Sequence, residues 1–70
     1  MITTLQQVED FVEKMASQLE FPVKVNETKA GFIELSNEYD YELIELPILE
    51  SDLIYELSSI AENAKDFLED

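Results

Sequence analysis

The sequence predicts an α+β domain of two layers, with a helix, a three-stranded antiparallel sheet and a second helix following one another along the chain. Three stretches carry this αβββα reading. Apolar residues recur at three- and four-residue spacing over residues 5–19, alternate with polar ones over residues 22–43, and return to the helical spacing over residues 53–68. Two helices on one face of so small a sheet leave its other face to water or to a second copy.

The first helix is predicted from Leu5, Val8, Phe11, Val12, Met15, Ala16 and Leu19, which share one face. Thr4 and Gln7 have the spacing of a capping box, and Pro22 stops the helix because Phe21, just before a proline, is pushed out of the helical region. Pro22 to Asn26 alternates and reads as a strand, and Glu27 to Gly31, with the chain's one glycine, reads as a turn. Phe32 to Ser36 is the second strand, Asn37-Glu38 the next turn, and Tyr39 to Leu43 the third strand. Tyr39 and Tyr41 are expected against the helices, with a bulge where the alternation changes phase at Leu43-Ile44. Ser51 is placed as the cap of the second helix, whose apolar residues are Leu53, Ile54, Leu57, Ile60, Ala61, Ala64, Phe67 and Leu68.

Composition narrows the chemistry. The chain of 70 residues has no His, Cys or Trp, which removes the imidazole base, the thiol nucleophile and the usual metal ligands. Ser51, Ser58 and Ser59 have no base to activate them, and no glycine-rich phosphate cradle or calcium loop is present. The expectation is a non-enzyme with no cofactor and no metal. No apolar run is long enough for a membrane span and the first residues do not read as a signal peptide, so a soluble, cytoplasmic protein is expected. With 46% hydrophobic residues the chain has material for one core over residues 1–70, but a domain this small buries only about 60% of its unfolded surface, which makes a homodimer a natural supplement.

The charge is the informative feature. Seventeen acids stand against four lysines, a net charge of −13. Residues 1–20 carry net −3, residues 21–37 carry 0, and residues 38–70, with eleven acids and Lys65, carry −10. Glu38, Asp40 and Glu42 alternate along the predicted third strand and are expected on one face, about 7 Å apart, with Glu45 following. Asp52, Glu56, Glu62 and Asp66 lie around the second helix away from its apolar stripe, and Tyr55 stands among them as a candidate anchor. Like charges at this spacing work against a helix, a cost that solubility alone does not require. Duplex DNA presents separated rows of phosphates, and carboxylates from two elements can imitate them toward the arginines and lysines of a DNA-binding surface. The same sign of charge argues against direct binding of nucleic acid.

In size, in lacking arginine and any catalytic side chain, and in its strongly acidic strand-plus-helix segment from Glu38 to Asp70, the chain resembles the acidic DNA-mimic proteins of bacteriophages. That group includes inhibitors of uracil-DNA glycosylase, of restriction enzymes, of CRISPR effectors and of the histone-like nucleoid protein HU, and the small α+β layout looks most like the HU inhibitors. The resemblance lies in charge and layout, with no shared motif. It implies a host-takeover inhibitor acting in an infected bacterial cytoplasm, reaching the nucleoid through a basic DNA-binding partner such as HU. On the charge map, Glu38, Asp40, Glu42, Glu45, Asp52, Glu56, Glu62 and Asp66 stand in for phosphates, Tyr55 is the anchor, and amides at Asp40, Glu42 and Glu62 are expected to weaken binding. The alternative is a small acidic interaction module or assembly subunit, an antitoxin or adaptor, that works through an apolar face.

Overall fold

The computed structural model describes residues 1–18 and 22–69 and has the predicted order of elements. Helix α1 (Leu5–Met15) starts at Thr4, whose hydroxyl accepts from the Gln7 backbone N–H at 3.2 Å while the Gln7 side-chain oxygen accepts from the Thr4 N–H at 3.1 Å. This closes two of the backbone donors that a helix start leaves open. A short 3₁₀ turn, Ala16–Gln18, follows, and Leu19 and Phe21 of the predicted helix end lie outside the described residues.

Strands β1 (Lys24–Lys29), β2 (Phe32–Ser36) and β3 (Tyr41–Glu45) form an antiparallel sheet in the order β1-β2-β3. The first turn is tight, at Ala30-Gly31, and needs glycine because Gly31 has φ +80°. The second is organised by Asn37, whose side-chain oxygen accepts from the backbone N–H groups of Tyr39 at 2.8 Å and Asp40 at 2.9 Å. Helix α2 (Glu50–Glu69) completes the domain, with Glu50 and Asp52 in the first turn, where the helix dipole favours acids. Ile2 pairs with Ile48 through two backbone hydrogen bonds of 2.8 and 2.9 Å, fastening the N-terminal segment to the link between β3 and α2.

Both helices and one sheet face share one core. Val8 and Val12 of α1, Ile33 and Leu35 of β2, Ile44 of β3, and Leu53, Leu57 and Ile60 of α2 pack together with Ile2. Each fully buried aliphatic side chain contributes about 1.5–3 kcal/mol relative to its exposed state. No polar or charged residue is buried among those described. The acids therefore stay with solvent, and the core carries the stability.

Besides carrying β1 through Glu27, Thr28 and Lys29, which were expected in the turn, the structure corrects four local expectations. The third strand begins at Tyr41, so Glu38 and Asp40 belong to the preceding turn and not to a strand face. Tyr41, expected in the core, is 60% exposed, and Leu43 beside it is 61% exposed. The β2–β3 register is regular from Ser36↔Tyr41 to Phe32↔Glu45, with no bulge at Leu43-Ile44, and the irregularity lies instead between Glu27 and Lys29 of β1. Finally, α2 begins at Glu50, which places Ser51 inside its first turn; the Leu53 N–H donates to the Leu49 carbonyl at 3.0 Å, so the chain turns helical before the serine.

The second correction follows from strand pairing. Ile33 and Leu35 must face the core, and cross-strand partners share a face, so Glu42 opposite Leu35 and Ile44 opposite Ile33 face inward while Tyr41, Leu43 and Glu45 face outward. The chain buries the Ile44 parity because that side meets the helices.

Candidate partner-binding surface

The outward sheet face has Phe32, Glu34 and Ser36 in the middle, Tyr41, Leu43 and Glu45 along β3, and Lys24 and Asn26 on β1. Leu43 stands opposite Glu34 and Tyr41 opposite Ser36, while the Lys29 ammonium lies 4.5 Å over the Phe32 ring. This face is mixed in charge and partly apolar. The acidic surface lies elsewhere, around the β3 edge and over α2.

At the β3–α2 seam three acids come together. Glu42 shares the inward side of β3 with Ile44 and is half-buried, and its carboxyl is raised above the ordinary range first by that burial, then by the charge and hydrogen bond of Glu56 on α2, and last by the charge of Asp40. Asp40 accepts a hydrogen bond from the Asn63 amide of α2 at 2.5 Å, and Tyr39 packs on Phe67 with ring centroids 5.3 Å apart. Asp40 thus ties the turn to the helix besides contributing charge, while the charge of Glu42 works against the seam. Among the described residues no three carboxylates are grouped closely enough to hold a metal ion.

Below this seam a groove of about 580 Å³ runs between the β3 edge and the first half of α2. Leu43, Ile44 and Glu45 form one wall and Asp52, Tyr55 and Glu56 the other, with Met1 and Leu49 at its end. Tyr55 is 71% exposed, as its place among the acids of the helix requires. At 100° per residue, Asp52 and Glu56 project toward the β3 edge while Tyr55, Glu62 and Asp66 project away from the stripe of Leu53, Leu57, Ile60 and Ala64. Glu62 and Asp66 are exposed, and Glu38 is exposed in the turn before β3.

The nine residues singled out from sequence therefore divide into three groups. Glu45, Asp52, Tyr55 and Glu56 line one groove, Asp40, Glu42 and again Glu56 meet at the seam above it, and Glu38, Glu62 and Asp66 stand free of both in solvent. The expected single row of Glu38, Asp40 and Glu42 is absent, since only Glu42 is in the strand and it turns inward. Leu43, which was not among the residues singled out from sequence, is part of the groove wall. The signal for it was the even number of residues in the turn before β3, which fixes which parity faces out.

No helix among the described residues is long and apolar enough to cross a membrane. Comparison of the chain with protein-family models, with curated proteins and with solved structures finds no match in any of the three.

Proposed function

We propose that this chain is a non-enzymatic inhibitor that occupies the DNA-binding surface of a basic protein, with a histone-like protein such as HU as the candidate target, and so competes with DNA. The reading is supported above all by the position of the charge. Residues 38–70 carry net −10 with Lys65 as their one cation, and their acids surround the β3 edge and the outer side of α2. Asp52 and Asp66 lie 14 positions apart on the helix, about 21 Å, which is long enough to lie along several phosphates' worth of a DNA-binding groove. Binding of this kind offers charge without bases and bypasses sequence readout.

The test neutralises acids that take no part in the fold. Glu45→Gln, Glu62→Gln and Asp66→Asn together leave the Asp40–Asn63 and Glu42–Glu56 contacts in place. The triple variant is expected to fold as the parent does, to displace DNA from HU at least tenfold less well, and to show a shallower dependence of binding on salt. Equal displacement by parent and variant would remove the mimic surface.

A second reading is favoured by the outer sheet face, where Phe32, Tyr41 and Leu43 are exposed together. An assembly subunit or adaptor using that face, including a homodimer built on it, would hold its partner almost equally well in high salt.

A further inference from the structure

The open edge of β3 offers more than charge. The Leu46 N–H donates to the Gly31 carbonyl at 2.7 Å and the Asn37 N–H donates to the Asp40 carbonyl at 3.0 Å, which fixes the alternation of the β2–β3 ladder. Residues 40, 42, 44 and 46 direct their backbone groups to β2, so Tyr41, Leu43 and Glu45 direct theirs outward from the sheet. Proteins usually blunt such an edge with lysine, proline, a bulge or a covering element. The segment Tyr41-Glu42-Leu43-Ile44-Glu45 has neither lysine nor proline and runs in regular register; its guarding charges are acids, Glu42 pointing inward and Glu45 outward, which repel another acidic strand and not a cationic one, and beside it lies the groove walled by Asp52, Tyr55 and Glu56.

We propose that the β3 edge takes an extended cationic segment of the partner as an added strand, with Lys or Arg at every second position. Backbone groups of Tyr41, Leu43 and Glu45 bond that segment, as in other strand-addition complexes. Its two side-chain rows then meet different surroundings. The row on the α2 side faces Asp52 and Glu56 and is cationic; the row on the outer side lies beside Tyr41 and Leu43 and is apolar. A second copy of this chain is the poorer occupant, because each copy carries net −13 and would bring Glu42 and Glu45 toward the same carboxylates. The inference rests on the basic-partner reading and adds the form in which the partner is held.

The experiment titrates the ¹⁵N-labelled protein with an acetylated, amidated nine-residue peptide alternating lysine and valine. Two controls are used, one with the same composition in blocks and one N-methylated at alternate backbone nitrogens in both registers. The alternating peptide is expected to shift the amides of Tyr41 to Glu45 and Asp52 to Glu56. Block order and one N-methylation register are expected to weaken binding about tenfold or more, the loss that two or three backbone hydrogen bonds carry. Equal binding by the alternating peptide, the block peptide and the N-methylated peptides of both registers, or shifts confined to the region of Glu62 and Asp66, would overturn strand addition. So would a concentration-dependent dimer of the free protein abolished by Leu43→Pro, a substitution that removes an outward N–H and spares the hydrogen bonds of the ladder with β2, with Leu43→Ala as the control for loss of the side chain. Displacement of DNA from HU separates the two readings. Displacement by parent and Leu43→Pro alike overturns the edge site and leaves the mimic reading standing; displacement by neither removes the mimic reading itself.

Discussion

Replacing Glu42 by Gln tests whether the acid seam costs the fold stability. Glu42 sits inward on β3 beside Ile44, hydrogen-bonded to Glu56, with its carboxyl raised by burial first and by Glu56 and Asp40 after it. Below the ordinary carboxylate value of 4.5 the group is protonated in the folded and unfolded chain alike, and its full contribution is present. As pH rises, the unfolded chain releases this proton while the folded domain still holds it, so stability falls until the raised folded value is passed and then stays at the lower level. Glutamine removes the charge and keeps a donor to Glu56. Solvent on the open side screens the pair, so the gain at pH 7 is set at about 0.5 kcal/mol, the scale of a partly exposed charge pair. For a domain of this length that corresponds to a rise in Tm of about 2–4 °C. Thermal unfolding by circular dichroism between pH 4 and pH 8 is the assay, applied to the parent, Glu42→Gln, Glu56→Gln and the double variant. The single gains should not add, because each removes the same repulsion. A Glu42→Gln protein less stable than the parent at pH 7, or with an unchanged pH slope, would refute the reasoning.

Two further substitutions test how the elements are punctuated. Thr4→Ala removes the hydroxyl that accepts from Gln7 and should cost about 1 kcal/mol, read as a lower urea midpoint with an unchanged slope. Gly31→Ala meets no clash, its added carbon reaching only the Leu46 carbonyl at 4.0 Å, but it holds φ +80° and should cost about 1–2 kcal/mol, with Gly31→Asn recovering part of the loss.

The helices were legible because their signals are local and redundant. Val8 and Val12, or Leu53, Leu57 and Ile60, declare a face by spacing alone, and Thr4 with Gln7 declares a start. The third strand was harder because both of its parities are apolar. Tyr41 and Leu43 compete with Ile44 and Leu46, and hydrophobicity by itself favours the wrong pair. Pairing decides the matter. With Ile33 and Leu35 inward, any turn of even length between β2 and β3 sends Tyr41 and Leu43 outward, and four residues, Asn37 to Asp40, separate the strands. Ser51 misled for a related reason, since a serine before an apolar stripe is a good cap only where the backbone is not yet helical, and here the Leu49 carbonyl already accepts from the Leu53 N–H, so the helix starts at Glu50. The acids of α2 were placed correctly around the helix, but that Asp52 and Glu56 border a strand edge while Glu62 and Asp66 do not depends on how α2 lies against β3, which no local pattern states.

The pairing of Ile2 with Ile48 gives the domain a built-in reporter. These residues are 46 positions apart in sequence and exchange two backbone hydrogen bonds, so hydrogen exchange at both amides is expected to follow the opening of this clasp as one event. Ile48 and Met1 also line the groove beside β3. Anything seated in that groove rests against the clasp and slows its opening, so the protection of two backbone amides becomes a measure of occupancy that needs no label on the occupant.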